Sequence, residues 1–457
     1  MNTDESHQLR AKVETRDESQ FDVARHMHGA SKRFDVAIVG GGLSGVVALA
    51  YARRAGLEAI VLERQDRVGG LWRDLPAWQD IQISASDWTL GDLPLQGVTQ
   101  PHILANIEAW VERFALADGI RLNTPVHLAR EDESGWELST PEGVVHARHL
   151  VAATGAHNTP LTPEVSRAAS TVREFHSSAL HDPSVLTGRD VLVVGGGASA
   201  FDLLELGLQH EARRVIWAFR GTRWFTPTRK PKRIAGSVRG FARLQASGLS
   251  AEQQSATICA DMRSRYEKFG ITDILPTHDF DVRHDQLIPG RPGMLEHYAS
   301  IERHHASVDA IAGGTVTLSD GHRVEAELLL WGTGYGVDLS YFASAEIASI
   351  RTLDALAARC GCIFRSLDAA NLYFPGVGLD GIGSAPWSYA LLCRSIMSHI
   401  AGTARLDNET LGHKLNHFDI VDYLAPRDPA SYPPNTWRAH YRDIALNTPD
   451  ERPYPIP

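Results

Sequence analysis

Residues 35–45 read DVAIVGGGLSG, and residues 190–200 read DVLVVGGGASA. The first stretch has the spacing G-x-G-x-x-G at Gly40, Gly42 and Gly45, and the second repeats it with alanine in the last position. In both, aliphatic residues typical of a buried strand precede the glycines, and a helical pattern follows. A glycine turn between a strand and a helix is the context that this spacing requires before it indicates a dinucleotide site. The sequence therefore predicts two dinucleotides in one chain, with electron transfer between them.

The composition is that of a globular enzyme with more than one domain. Of its 457 residues, 43% are hydrophobic and 22% are charged. A chain of this length is too long for one ordinary core. A net charge of −10 argues against a nucleic-acid partner. The polar start of the chain lacks a secretory pattern, and no run of about 18 apolar residues occurs. We therefore expect a soluble, cytoplasmic protein with no membrane partner.

The cysteines and histidines do not predict a metal or disulfide centre. Four cysteines occur, and none of them form a C-x-x-C pair. Cys360 and Cys362 flank one glycine and are interpreted as ordinary thiols, with a redox pair as the less favoured alternative. Among the 21 histidines, His176 and His181 are five apart and His304 and His305 are adjacent, and neither spacing places two imidazoles on one helix face. We expect no metal site.

The first glycine turn suits FAD. Gly40 permits the tight turn, Gly42 lets the backbone approach a pyrophosphate, and Gly45 lets the helix pack on the sheet. The free N–H groups and dipole of a helix N-terminus favour an anion by about 0.3–1 kcal/mol. Glu63 stands at the end of the next predicted strand, where a carboxylate accepts hydrogen bonds from ribose hydroxyls and repels a 2′-phosphate. This site is therefore expected to take FAD rather than NADPH.

The second glycine turn suits NADPH. No acidic residue ends its second strand; Arg220 stands there instead, and Arg223 follows. Guanidinium groups bind phosphates with two parallel hydrogen bonds. Arg220 and Arg223 therefore fit the 2′-phosphate of NADPH, while ordinary solvated arginines remain the alternative. Arg229 and Lys230 are weaker candidates for the same role.

The order of patterns along the chain predicts an α/β fold in which one domain interrupts the other. Two Rossmann-like dinucleotide-binding domains are expected, with the NADPH domain inserted into a discontinuous FAD domain. The predicted ranges are a polar N-terminal arm at 1–33, an FAD-binding domain at 34–160 and 321–457, and an NADPH-binding domain at 161–320 with a helical insertion near 230–300. Helices are expected near 43–55, 102–117, 251–270 and 387–400.

Seven elements in order along the chain resemble the flavin-containing monooxygenases, and together they span about residues 34–400. They are Glu63-Arg64 with Val68-Gly69-Gly70-Leu71-Trp72, Asp92-Leu93-Pro94-Leu95, Ala153-Thr154-Gly155 with Pro160, Gly195–Asp202, Arg220–Trp224 with Pro227, Gly332-Thr333-Gly334-Tyr335, and Asn371–Gly376.

The resemblance implies one polypeptide that binds both FAD and NADPH. The residues that it assigns to cofactor binding, together with those of the two glycine turns, are Gly40, Gly42, Leu43, Ser44, Gly45, Glu63, Arg64, Gly70, Leu71, Trp72, Val126, Thr154, Gly155, Gly195, Gly197, Ala198, Ser199, Ala200, Arg220, Thr222, Arg223, Gly334 and Tyr335.

The catalytic assignment is less direct, because the chain departs from the family. Where the family has an asparagine near the flavin, this sequence has Gln82, and we interpret Gln82 and Trp88 as the catalytic candidates. The alternatives are that Gln82 is an ordinary loop residue, or that Asp80 or Asp87 points to the flavin instead. Of the family's F-x-G-x-x-x-H-S-x-x-Y/W stretch, only the His-Ser pair at 176–177 remains, which leaves the subfamily open.

The activity implied by the resemblance is monooxygenation with NADPH and O₂. A hydride passes from NADPH to FAD, and a flavin C4a-(hydro)peroxide transfers one oxygen atom to a small organic substrate, with nitrogen or sulfur as the favoured acceptor. Baeyer–Villiger oxygenation of ketones, an NADPH oxidase or flavin-linked reductase, and a non-catalytic redox sensor are the alternatives. A disulfide reductase is disfavoured because it requires a redox cysteine pair. A homodimer is left open.

Overall fold

A computed structural model describes residues 33–81, 88, 93, 95–227, 248–377, 379–380, 385–403 and 415–416 of the chain. In these residues the α-helices are α1 (Leu43–Arg54), α2 (Leu71–Asp74), α3 (Gln100–Arg113), α4 (Ala198–Gln209), α5 (Ala251–Phe269), α6 (Pro292–Glu296), α7 (Ala345–Ala348), α8 (Leu353–Ala358) and α9 (Ala385–Ile400). No helix of this described part is long and apolar enough to cross a membrane.

The strands of the described residues are, in chain order, β1 (Arg33–Val39), β2 (Ala59–Leu62), β3 (Ile120–Arg121), β4 (Leu128–Asp132), β5 (Gly135–Thr140), β6 (Gly143–Ala152), β7 (Thr159–Pro160), β8 (Ser166–Ala168), β9 (Arg173–His176), β10 (Asp190–Val194), β11 (Arg214–Ala218), β12 (Phe225–Thr226), β13 (Ile288–Pro289), β14 (Glu302–His304), β15 (Val308–Ala312), β16 (Thr315–Leu318), β17 (Arg323–Glu325), β18 (Leu328–Trp331), β19 (Tyr335–Gly336), β20 (Leu372–Tyr373), β21 (Leu379–Asp380) and β22 (Leu415–Asn416).

The first unit is built on a sheet with the strand order β3-β2-β1-β6-β5-β4. Strand β1 lies in its middle and pairs in parallel with β2 and with the second half of β6. The residues of β1 from Val36 to Val39 are buried, as expected for a parallel strand covered on both faces. Strand β20 adds to the far edge of β6, so residues after 370 return to this unit. The helices α1 and α9 pack together beside the sheet, with the Cys393 thiol 3.7 Å from the carbonyl oxygen of Ser44.

The second unit is built on a fully parallel sheet with the order β14-β11-β10-β18-β9. One face packs against α4 and α5 through a core that includes Phe201, Trp217 and Tyr266. The other face packs against the sheet β17-β16-β15-β8 through a core that includes Ile216 and Trp331. The unit is therefore layered on both faces, as the continuous apolar sequence of β10 requires.

The α/β architecture with two dinucleotide-binding units agrees with the sequence-based prediction, but the point of return to the first unit does not. The sequence predicts that return at residue 321, whereas β17 still pairs with β16, and β18 pairs with both β10 and β9. The second unit therefore extends through Trp331. The all-apolar sequence of β18 indicates a buried parallel strand but does not specify which sheet it joins. The predicted boundary between the two units at residue 321 therefore lies too early in the chain.

The predicted helices occur with shifted ends. The helix predicted near 102–117 runs from Gln100 to Arg113, and Ala115 beyond it has a φ of +50° that a helix does not tolerate. Helix α5 begins at a capping box formed by Ser250 and Gln253 and ends at Gly270, which is left-handed at φ +67°. The polar arm predicted at 1–33 lies outside the described residues except for Arg33, which begins β1.

The two units are joined by a pair of antiparallel crossing segments. Strands β7 and β19 pair with Tyr335 opposite Pro160 and Gly336 opposite Thr159. The N–H of Leu161 donates to the carbonyl of Gly334 at 3.0 Å. The chain thus leaves and re-enters the first unit at one place. Because β7 follows β6 and β19 follows β18, this pairing places the carboxyl ends of β6 and β18 near each other.

Candidate functional site

The first glycine turn lies at the carboxyl end of β1, where the chain enters α1. Gly40 has a φ of +104°, and a Cβ there would lie 2.6 Å from the carbonyl oxygen of Ala153. A Cβ on Gly45 would lie 1.9 Å from the carbonyl oxygen of Gly40, so this close contact between helix and turn requires glycine. Gly42 is the N-cap of α1, and no side chain caps the helix there. The N-terminus of α1 therefore keeps N–H groups available for an anion.

Glu63 lies directly behind this turn. It follows β2, is only 4% exposed, and accepts a hydrogen bond from the backbone N–H of Gly41 with one carboxylate oxygen. The other oxygen accepts from the N–H of Gln65 at 2.8 Å. Each carboxylate oxygen has a further lone pair, so the group retains capacity for ribose hydroxyls while it holds the glycine turn in place.

The segment Gly70-Leu71-Trp72 packs against the same turn. Gly70 is left-handed at φ +53°, and a Cβ there would lie 2.8 Å from the Cα of Gly42. Leu71 is exposed and Trp72 is half-buried. This contact between two backbones brings a second part of the sequence to the first glycine turn.

The remaining candidates of the first unit divide into two groups. Thr154 and Gly155 follow β6 next to the glycine turn, and a Cβ on Gly155 would meet no protein atom within 4 Å, so space is open there. Val126 is half-buried in the loop after β3. Leu43 and Ser44 are buried within the start of α1 and point into the core. Arg64 is exposed beyond Glu63.

The second glycine turn repeats the geometry of the first. Gly195 has a φ of +133°, and a Cβ on it would lie 2.3 Å from the carbonyl oxygen of Gly332. Ala200 is fully buried, and a Cβ on Gly332 would lie 2.6 Å from its Cα. Gly197 is the N-cap of α4, again without a side-chain cap, and a Cβ on it would meet no protein atom within 4 Å. The start of α4 therefore faces open space, with exposed Ala198 and half-buried Ser199 beside it.

Arg220 and Arg223 stand at the mouth of this second turn. Both are exposed, and within the described residues neither guanidinium pairs with a carboxylate. The backbone N–H of Arg223 donates to the carbonyl of Gly196 at 2.9 Å, which attaches this segment to the glycine turn. The hydroxyl of Thr222 donates to the carbonyl of Ile274 at 2.5 Å and is thereby engaged within the protein.

Gly334 and Tyr335 meet a histidine that the candidate residues did not include. The carbonyl of Gly334 accepts a hydrogen bond from Nε2 of His176 at 3.0 Å, and Nδ1 of His176 accepts from the N–H of Ser178 at 3.2 Å. Burial lowers the pKa of His176, so the ring is neutral with its proton on Nε2. The ring of Tyr335 stands edge-on to His176, with centroids 5.0 Å apart. The surviving His-Ser pair at 176–177 was the available sequence signal.

The segment that precedes the catalytic candidates bridges the two units. The indole N–H of Trp78 donates to the carbonyl of Leu180 at 2.6 Å, and the amide of Gln79 lies 3.4 Å from a carboxylate oxygen of Asp202 on α4. Asp202 also pairs with the buried Arg291 at 2.6 Å. This segment therefore contacts both units where their glycine turns face outward.

Of the two catalytic candidates, the structure describes one. Gln82 lies outside the described residues, as do the weaker candidates Arg229 and Lys230. Trp88 is buried edge-on against Trp72, with ring centroids 5.8 Å apart. Its indole N–H has no acceptor in the part of the chain that the structure describes. A buried donor without an acceptor is costly, and the same is seen, within the described residues, for the indoles of Trp110, Trp136 and Trp224.

The residues present fit two dinucleotides. Each turn places an uncapped helix N-terminus at the carboxyl end of a parallel sheet, where this fold binds phosphates. At Gly197 and Gly155 the space that a Cβ would fill is empty of protein atoms. A pyrophosphate and its flanking groups need this kind of open backbone surface.

Comparison with known proteins agrees with the fold. Residues 37–259 match a family model described as pyridine nucleotide-disulphide oxidoreductase. Cys259 is the single cysteine of those residues, so the match brings no redox cysteine pair with it. The crystal structure of OTEMO in complex with FAD and NADP is similar with a TM-score of 0.62, over 82% of this chain and 86% of that chain at 16% identity.

Two curated relatives cover most of the described chain. A Baeyer-Villiger monooxygenase of Streptomyces coelicolor is 26% identical over 66% of this chain and 64% of its own length. Flavin-containing monooxygenase 5 of Cavia porcellus is 24% identical over 67% of this chain and 62% of its own length. The chain thus matches less than two thirds of the length of these relatives.

The fold, with its two glycine turns, is similar to that of a protein solved in complex with FAD and NADP. In sequence, the chain is similar to monooxygenases of the Baeyer-Villiger and flavin-containing classes.

Proposed function

We propose that the chain is an FAD- and NADPH-dependent monooxygenase that transfers one oxygen atom from O₂ to nitrogen or sulfur of a small organic substrate. The observation that carries the proposal is the asymmetry of the two glycine turns. The carboxylate of Glu63 lies against the first turn, and the guanidinium groups of Arg220 and Arg223, which have no carboxylate partner among the described residues, lie beside the second. A carboxylate repels a 2′-phosphate and a guanidinium attracts it, so the sites are not equivalent.

The first turn would hold FAD. Its pyrophosphate would lie at the N-terminus of α1, with Glu63 towards the adenosine ribose. The exposed Leu71 and half-buried Trp72 would flank the cofactor on the side of the Gly70 backbone, and Thr154 and Gly155 would flank it at the end of β6. Bound there, FAD would take the hydride of NADPH and supply electrons to O₂.

The second turn would hold NADPH. Its pyrophosphate would lie at the N-terminus of α4, and its 2′-phosphate would be bound by Arg220 and Arg223. Overall, NADPH, one proton, O₂ and the substrate give NADP⁺, water and the oxygenated substrate. The side chains have no acid–base triad to supply; they would hold the two cofactors, exclude water and donate hydrogen bonds near the reacting atoms.

The relatives leave the oxygen acceptor open between two chemistries. One relative is flavin-containing monooxygenase 5 of Cavia porcellus, whereas the Streptomyces coelicolor relative is a Baeyer-Villiger monooxygenase. The chain retains the His-Ser pair at 176–177 but has Leu180 where the family element has an aromatic residue. We therefore place nitrogen or sulfur oxygenation first and ketone oxygenation second.

The test is oxygen incorporation from ¹⁸O₂ with a panel of amines, sulfides and ketones. The proposal predicts one labelled oxygen atom in an amine or sulfide product for each productively used NADPH. A labelled ester from a ketone would assign the second chemistry instead. Hydrogen peroxide as the sole oxygen product with every compound, or failure to oxidise NADPH, would reject the proposal.

A further inference from the structure

Two imidazoles and a carboxylate converge at one end of the second unit, on side chains that the proposed function does not use. His304 ends β14, and Asp320 and His322 lie in the turn between β16 and β17. Each offers a ligand atom within 4.8 Å of the other two. Oδ2 of Asp320 lies 3.1 Å from Nδ1 of His322 and 3.9 Å from Nδ1 of His304.

The ring of His304 is oriented by a carboxylate on its other side. Its Nε2 lies 2.9 Å from Oε1 of Glu302, and Glu302 is itself held by Arg214 at 2.7 Å. A carboxylate only accepts, so Nε2 carries a proton, and Nδ1 is the ring nitrogen on the side of Asp320. A carboxylate that fixes the far nitrogen of an imidazole is the usual support of a metal-binding histidine.

The turn that carries the other two groups is fixed by its own hydrogen bonds. The backbone N–H of His322 donates to Oδ1 of Asp320 at 3.0 Å, which leaves Oδ2 towards the two rings. The N–H of Gly321, left-handed at φ +87°, donates to the carbonyl of Leu318 at 3.0 Å. These two bonds fix the position of the Asp320 carboxylate relative to the rings.

We propose that His304, Asp320 and His322 bind a divalent transition metal ion, with Zn²⁺ as the best match, and leave a fourth position for water. Imidazole nitrogen and carboxylate oxygen bind Zn²⁺ at about 2.0–2.2 Å in a tetrahedral arrangement, which separates ligand atoms by about 3.4 Å. The two separations from Asp320, 3.1 and 3.9 Å, stand on either side of that spacing. The bound ion would tie the end of β14 to the β16–β17 turn.

The test is titration of the chelator-treated full chain with Zn²⁺ by calorimetry. Wild type is expected to bind one Zn²⁺ per chain, and His322→Ala and Asp320→Asn are each expected to bind at least tenfold more weakly. Glu302→Gln should weaken binding roughly 10–100-fold through the orientation of His304. His127→Ala is the matched control, because His127 is exposed and belongs to the first unit.

A second measurement guards against misfolding of the variants. The side chain of His322 is 65% exposed, so His322→Ala should keep the wild-type unfolding temperature in the absence of metal. Added Zn²⁺ should raise that temperature for wild type and His127→Ala but not for His322→Ala. Absence of stoichiometric binding to wild type, or equal effects of Zn²⁺ on wild type and His322→Ala, would overturn the proposal.

Discussion

Arg220, whose guanidinium is exposed, is the residue that most directly distinguishes the second glycine turn from the first. A hydrogen bond to a charged group contributes about 1.5–3 kcal/mol. Arg220→Ala should therefore weaken NADPH binding roughly tenfold to a hundredfold and leave use of NADH little changed. Steady-state and binding measurements with both nucleotides check this, with Arg148→Ala as a control because Arg148 is an exposed arginine of the first unit. An equal loss for NADH would contradict the assignment to the 2′-phosphate.

The second prediction at the residue scale concerns the buried indole N–H of Trp88. The indole N–H of Trp88 is buried and lacks an acceptor within the described residues, so we expect it to donate to a bound group beside Trp72. Trp88→Phe keeps a buried ring but removes the donor, at about 1 kcal/mol for one hydrogen bond. Hydrogen peroxide released per NADPH should rise roughly fivefold.

Trp136 supplies the control for that measurement. Its indole N–H is also buried without a hydrogen-bond partner in the described part of the chain, but it lies on β5, far along the sheet from the glycine turn. Trp136→Phe should leave peroxide release unchanged. If both variants raise peroxide release, or if neither does, the indole N–H of Trp88 does not donate to a bound group at the site.

His149 provides a test of stability against pH. Burial, aided by nearby positive groups, lowers its pKa from 6.5 to about 4. A histidine with a depressed pKa in the folded state contributes full stability above pH 6.5, and that contribution is lost as the pH falls from 6.5 towards 4, because the unfolded state binds the proton more readily. His149→Gln, which does not titrate, should lose less thermal stability than wild type between pH 7 and about pH 4.5. If wild type and His149→Gln lose the same thermal stability over this pH range, His149 is not the group that causes the loss.

Individual residues also show which parts of the candidate site can be found from the sequence and which cannot. The positions of Glu63 and Arg220 beyond strand ends were predictable, because the glycine pattern defines where each preceding strand lies. His176 was not assigned a role, because its partner Gly334 stands 158 residues away in the chain. The cluster of His304, Asp320 and His322 was missed for the same reason: the sequence spacing of its members does not describe a turn lying beside another strand.

At the scale of elements, the N-termini of the two helices that follow the glycine turns are the parts that we expect to bind phosphate. Gly197→Ala separates this role from folding. Its added Cβ meets no protein atom within 4 Å, and the loss of a better N-cap is offset by the reduced entropy of the unfolded chain. We expect a near-normal unfolding temperature with NADPH binding weakened at least tenfold.

Gly195→Ala is the contrasting variant at the same turn. Its Cβ would lie 2.3 Å from the carbonyl oxygen of Gly332, at a φ of +133°. We therefore expect it to lower the unfolding temperature clearly. Thermal denaturation and nucleotide binding of both variants check the pair. If Gly197→Ala binds NADPH normally, the start of α4 is not the phosphate site.

Elements also show where prediction from the sequence succeeds. Helices α1, α4 and α5 were predictable from local periodicity, because each presents a continuous apolar face or a capping signal. The assignment of β18 to a sheet was not, since its four apolar residues suit the centre of either sheet. Pairing with β10 and β9 decides it, and that pairing depends on residues more than 130 positions earlier in the chain.

At the scale of the whole molecule, the proposed reaction requires an FAD site and an NADPH site that lie close to each other between the two units. The ribbon of β7 and β19 joins the units at one edge, and the hydrogen bond from Trp78 to the carbonyl of Leu180 joins them at another place. These two connections hold the units together, and hydride transfer between two bound dinucleotides would need such a fixed arrangement.

The central claim, that FAD occupies the first site and NADPH the second, is tested most directly by the FAD content of two variants after purification and reconstitution. Gly42→Ala adds a Cβ 3.4 Å from Gly70, an ordinary contact at an ordinary φ of −75°, so it should fold yet lose bound FAD. Gly197→Ala should retain one FAD per chain. Normal FAD content in Gly42→Ala, or loss of FAD from Gly197→Ala alone, would contradict the assignment.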